Sequence, residues 1–91
     1  MADYEYQALV ESQGGLCAIC REPETAMRGG VIRPLCIDHD HETGVVRGLL
    51  CSRCNTAVGL MLDDPDRLRE AVAYLTIPRL LDPSHELEPT G

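Results

Sequence analysis

Four cysteines fall into two pairs, Cys17-x2-Cys20 and Cys51-x2-Cys54, with thirty residues between the pairs. Two thiols on one tight turn chelate a metal, and two such turns close a tetrahedral shell about Zn²⁺ that leaves no position open to substrate. The spacing therefore predicts one structural zinc per chain, tying the N-terminal region to the start of a later helix. Buried free thiols or a redox pair are the alternatives for the same residues. Cys36 stands apart between Leu35 and Ile37 and reads as a core residue. Five cysteines make an odd count, which argues against a complete disulfide framework and for a reduced setting.

A second cluster is Asp38-His39-Asp40-His41, which holds two of the three histidines of the chain; the third is His85. Side chains alternate along extended backbone, so His39 and His41 are expected on one face and Asp38 and Asp40 on the other. Asn55 follows the last thiolate directly, so a zinc at Cys54 would fix the direction of its amide. Oxygens from Asp38 and Asn55, completed by water and phosphate, suit an octahedral Mg²⁺ or Mn²⁺. His39, with an ordinary imidazole pKa near ~6.5, is able to take a proton from water. The other reading makes the Asp and His residues a solvated turn and Asn55 a helix cap.

These groups need elements to position them. Residues 3–13 carry Tyr6, Leu9 and Val10 at helical spacing, and Gly14-Gly15 ends the run. Residues 21–33, with Pro23, Gly29 and Gly30, read as a loop. Residues 35–39 and 45–50 read as the two strands of a hairpin, with residues 40–44 turning between them. A helix is expected from Asn55 onward and another from Asp64-Pro65, with Leu68, Ala71, Val72 and Leu75 on its apolar face and Ile77-Pro78 at its end. The division is a domain over residues 1–78 and a polar tail over residues 79–91.

A chain of 91 residues with no Trp, no Phe and three Tyr builds only a small core, for which a metal is the natural staple. No apolar run approaches the ~18 residues of a membrane span, and the first fifteen residues lack the basic start of a signal peptide, so a soluble, cytoplasmic protein is expected. The net charge of −7 counts against nucleic-acid binding. The acids are unevenly spread, however: residues 28–53 hold four Arg and three acids, a balance of +1, while the rest carries −8. All eight basic residues are Arg, which suits bidentate phosphate contact, although GC-rich codon usage gives the same bias.

The segments Gly14-Gly15-Leu16-Cys17-Ala18-Ile19-Cys20, Ile37-Asp38-His39-Asp40-His41-Glu42-Thr43-Gly44 and Arg47-Gly48-Leu49-Leu50-Cys51-Ser52-Arg53-Cys54-Asn55 closely resemble the recombination endonuclease VII family of phages. The resemblance implies a small α+β fold, a zinc-stapled β-hairpin plus helix of the ββα-metal (His-Me finger) type with flanking short helices. It implies an HNH-type, divalent-metal-dependent DNA endonuclease, with Asp38 and Asn55 as ligands of a catalytic Mg²⁺ or Mn²⁺, His39 as general base and His41 supporting the phosphate or metal. Val58 stands where some members place an acid, so a third ligand would come from elsewhere. Arg47 or Arg53 would clamp a flanking DNA phosphate. Duplex, nicked or branched DNA is the implied partner, with a phage protein as a second, in the cytoplasm of a phage-infected or prophage-bearing bacterium. The reading from a different class is a non-catalytic zinc-binding module for nucleic-acid or protein interaction.

Overall fold

A computed structural model describes residues 1–77; the expected tail over residues 79–91, with His85, lies outside the described residues. The elements are α1 (Asp3–Ser12), β1 (Met27–Arg28), β2 (Val31–Ile32), β3 (Cys36–His39), β4 (Val46–Leu50), α2 (Ser52–Leu60) and α3 (Pro65–Thr76). They form an α+β fold with two separate two-stranded antiparallel sheets, β1-β2 and β3-β4. No helix among the described residues is long and apolar enough to cross a membrane.

Helix α1 stops where its sequence stops favouring it. Gly14 and Gly15 adopt φ of 66° and 76°, a left-handed conformation that costs glycine least, and the Gly15 N–H donates to the Val10 carbonyl at 2.9 Å. The exposed start is held by the Ala2 N–H donating to the Glu5 carboxylate at 2.8 Å. The inner face carries Tyr6, Leu9 and Val10 onto the core, and the Tyr6 hydroxyl donates to the Leu35 carbonyl at 2.8 Å.

The segment read as a loop contains a short hairpin. Gly29-Gly30, both at positive φ, form the two-residue turn, and Met27 faces Ile32 while Arg28 faces Val31. Strands of two residues are too short to show alternation, so nothing in the pattern marked them.

Strands β3 and β4 pair Cys36 with Leu50, Ile37 with Leu49, Asp38 with Gly48 and His39 with Val46. The step from Gly48 to Val46 leaves Arg47 as an extra residue in a bulge, which re-aims its side chain. The tip is closed by Asp40, whose Oδ1 accepts from the Glu42 and Thr43 N–H groups at 2.8 and 3.1 Å. Those two donors hold the Asp40 carboxyl below its ordinary range.

Helix α2 begins earlier than expected, because the second thiol turn is its first turn: Cys51 is the N-cap and its Sγ accepts from the Cys54 N–H at 3.4 Å. Helix α3 starts as its sequence predicts, with the Asp64 carboxylate accepting from the Asp66 N–H at 2.9 Å and Pro65 in the first position. Between these helices Leu62 and Asp63 both take positive φ, 62° and 56°, a conformation that costs non-glycine residues on the order of 1 kcal/mol each.

The buried core consists of Cys17, Leu35, Leu49, Leu50 and Cys51. Cys36, expected in the core, is only half-buried beside it. Gln13 joins helix and sheet: its Nε2 donates to the Leu16 and Leu49 carbonyls at 2.7 and 3.0 Å, and its Oε1 accepts from the Leu49 N–H at 3.0 Å. A Cβ on Gly48 would meet that Oε1 at 3.3 Å, so a glycine lets the amide approach the strand. Gln13→Ala leaves the N–H of fully buried Leu49 without its acceptor and is expected to cost about 1–3 kcal/mol. Denaturant unfolding of the zinc-loaded protein measures it, with zinc content unchanged.

Candidate metal centre and the hairpin face

The two thiol turns meet at the heart of the molecule. Cys17, Cys20, Cys51 and Cys54 bring their Sγ atoms within 4.8 Å of one another. A tetrahedron with Zn–S bonds of about 2.3 Å has S···S edges of about 3.8 Å. Cys20 and Cys51 stand at 3.8 Å, so the donor set fits zinc in kind, number and size. All four positions are filled by protein sulfur, which makes the site structural.

Backbone geometry prepares these sulfurs for charge. The Ile19 N–H donates to Cys17 Sγ at 3.3 Å, and Arg21, at φ 63°, ends the first knuckle turn with its N–H on the Cys17 carbonyl. Burial pushes the Cys17 thiol up, but N–H groups of Cys51, Cys20 and Ile19 and the Cys54 thiol outweigh it and bring Cys17 down to about 6. Burial, followed by hydrogen bonding to Cys17, Cys51 and Cys20, pushes Cys54 up to about 12. Arg53 lies beside the cluster, its own pKa raised first by the charge on Cys51 and then by a hydrogen bond to Cys20. It also donates to Thr25 Oγ1 at 3.0 Å.

Glu24 was invisible to the sequence reading. It is buried, and its carboxylate accepts from the N–H groups of Thr25, Ala26 and Ser52 and from the Ser52 hydroxyl, at 2.7–3.0 Å. An anion at the N-terminus of α2 satisfies free N–H groups there, so Glu24 clips the segment after the first thiol turn to the helix that begins at the second. No spacing or periodicity distinguishes such a glutamate from a solvated one.

The hairpin face is built differently from expectation. Both oxygens of Asp38 accept from Arg47, at 2.7 Å from Nε and 3.1 Å from Nη2. The same Nη2 donates to Asp63 at 3.2 Å, and the exposed His41 lies 3.9 Å from that carboxylate. Asp38, Arg47 and Asp63 border a cavity of about 290 Å³ with Ala18, Val58 and Leu68. His39 lines another cavity, with Glu5, Leu9 and Val46, on the side of α1. Asn55 is exposed on α2.

This arrangement corrects the reading as an HNH-type endonuclease. Among the described residues the group able to hold a metal is the all-cysteine one, with every position closed. The carboxylate expected to grip a catalytic Mg²⁺ or Mn²⁺ is instead neutralised by Arg47, and His39, expected to serve the same phosphate as general base, opens onto a different cavity. Among the described residues no His-centred metal group is seen, and the closed all-cysteine cluster overturns the HNH-type reading in favour of the zinc-binding module. The bulge turns Arg47 onto Asp38 in a way the alternation of strand residues did not foresee.

The sequence profile described as recombination endonuclease VII matches residues 1–77. The "Gene 59 protein" of Mycobacterium phage D29 is 44% identical over 75 residues, which cover 81% of this chain and 42% of that protein. The "Gene 59 protein" of Mycobacterium phage L5 is 41% identical over 75 residues, covering 81% and 43%. The chain thus spans less than half the length of these relatives.

Cys51→Ser is expected to lose both zinc and fold, whereas Cys36→Ala keeps a full zinc complement; elemental analysis beside circular dichroism checks both. The apparent zinc affinity should rise with pH through neutrality, because Cys54 holds a proton to lose at any pH below about 12. It should fall more steeply below about pH 6, where Cys17 must be deprotonated as well. Competition with a chromophoric chelator across that range reads the slope.

Proposed function

The chain belongs to the recombination endonuclease VII family, and within it we propose that this domain is a non-catalytic zinc module that engages DNA through its zinc-knuckle side. The observation that carries the reading is the closed all-cysteine cluster, which holds structure and offers nothing to a substrate. Family membership supplies nucleic acid as the class of partner, while chemistry has to be argued from the site itself.

The distribution of charge fits this reading. Arg47, Arg67 and Arg69 are each paired with aspartates. Arg21, Arg28, Arg33 and Arg53 make no such pair among the described residues. Those four lie on the first thiol turn, the β1-β2 hairpin and its flank, and the first turn of α2. The hairpin face, where the single Arg47 is shared by Asp38 and Asp63 beside a neutral His41, stays net negative and repels phosphate. Duplex DNA is the primary form in this reading, with nicked and branched DNA bound through the same backbone contacts.

A protein contact is the second reading, and Leu60, Leu62, Val72, Tyr74 and Leu75, each at least 60% exposed around α2 and α3, favour it. A phage protein is the partner that reading names.

Fluorescence anisotropy with labelled duplex, nicked and branched DNA tests the proposal. Zinc-loaded protein is expected to bind with a salt-dependent affinity that disappears when zinc is extracted, and supercoiled plasmid incubated with Mg²⁺ or Mn²⁺ is expected to stay intact. Absence of binding at about 50 mM salt, or strand scission suppressed by chelator, overturns it.

A further inference from the structure

Resting on that reading, we propose that the β1-β2 hairpin is a wing that enters a groove of duplex DNA, with Arg28 and Arg33 on the flanking phosphates. No residue of either strand is buried. Met27, Val31 and Ile32 are 58%, 67% and 57% exposed, although nothing in the local turn chemistry requires apolar residues there. Polar residues would pair equally well across two-residue strands, and although Ile32 also borders the cavity beside Tyr6 and Val10, three apolar side chains more than half exposed on one short ribbon call for a covering surface.

Pairing decides which side chains act together. Arg28 stands opposite Val31, and the Arg33 N–H donates to the Ala26 carbonyl at 2.8 Å, which continues the ribbon by one pair. Arg28, Val31 and Arg33 therefore share one face, and Met27 and Ile32 the other. One face of the ribbon is basic and the other apolar.

The charge around it suits a polyanion. Residues 25–37 contain no Asp or Glu in a chain that has fifteen of them. Glu24, which shares a cavity with Arg33, has its carboxylate occupied by backbone and Ser52 donors and is turned inward. At the root of the ribbon Arg53 donates to Thr25 Oγ1 and also hydrogen-bonds Cys20, which ties the ribbon to the zinc cluster. A two-stranded ribbon is the width that the major groove of B-form DNA admits, about 12 Å, and apolar side chains there meet thymine methyl groups. The ribbon thus offers both terms a duplex requires, guanidinium groups for the backbone and an apolar edge for the groove.

The test uses the whole zinc-loaded chain and the double variant Arg28→Ala/Arg33→Ala. Both positions lie outside the core, and zinc content and circular dichroism confirm that the fold is kept. Binding to a short labelled duplex is measured between about 50 and 200 mM salt. Two lost phosphate contacts should make the slope of log K against log salt shallower by about 1.8, so the wild type loses roughly tenfold more affinity than the variant over that range. Met27→Ser/Ile32→Ser should weaken duplex binding with the slope unchanged, and should leave binding to a single strand of the same length unaffected.

A wild type that binds duplex while the arginine variant keeps its slope and affinity overturns the wing and leaves the nucleic-acid reading standing. A wild type that binds no DNA removes both. Equal losses on duplex and single strand for the apolar variant overturn the groove, and loss of binding to a phage protein in place of DNA assigns the ribbon to a protein contact instead.

Discussion

Bonds from four thiolates to one Zn²⁺ carry more of this domain than its apolar interior is able to. Of the five buried core residues two, Cys17 and Cys51, are themselves zinc ligands, which leaves Leu35, Leu49 and Leu50. Burying three leucines yields roughly 5–9 kcal/mol before any chain entropy is charged against it. Structural zinc in small fingers is worth about 10–16 kcal/mol. The cluster also sits where three elements meet: its first pair follows α1, its second begins α2, and β4 runs into Cys51. Removing the metal therefore removes the common point to which the helix, hairpin and ribbon are referred.

The bulge at Arg47 governs the electrostatics of the hairpin in a comparable way. An arginine inserted into β4 neutralises Asp38 from one side and Asp63 from the other, and Asp63 is presented to it by a pair of left-handed residues after α2. Part of the acidic motif that draws attention in the sequence is thereby tied into an ion-pair network that shares one arginine between two aspartates and stays net negative. What remains outward is the arginine set near the zinc knuckle.

Legibility followed the range of the interactions. The cysteine pairs were readable because metal geometry acts over a few residues and dictates the rest, and β3, β4 and α3 because Leu35-Cys36-Ile37, Val45-Val46 and Asp64-Pro65 carry local periodicity and capping. The β1-β2 ribbon was not, since two-residue strands lie below any period. Gln13 and Glu24 were not, since their partners are 36 and 28 residues away and a polar side chain gives no sign of a distant backbone acceptor or donor. At the candidate site alternation already separates Asp38 from His39, and they border different cavities; the Arg47 ion pair to Asp38 was not legible, because it depends on an extra residue in β4 that the alternation rule omits.

Gln13 has a further consequence for a sheet of only two strands. Its amide meets both the N–H and the carbonyl of Leu49, and the Ala18 N–H donates to that same carbonyl at 3.0 Å. The outward hydrogen-bonding groups at the middle of β4 are thereby used up by a side chain and a knuckle turn. An open edge is a template on which another chain adds a strand, and proteins with small sheets are exposed to aggregation along it. Here the amide takes the place that a third strand would occupy along β4, so on that edge the folded domain has no free rung at Leu49 on which another chain could pair.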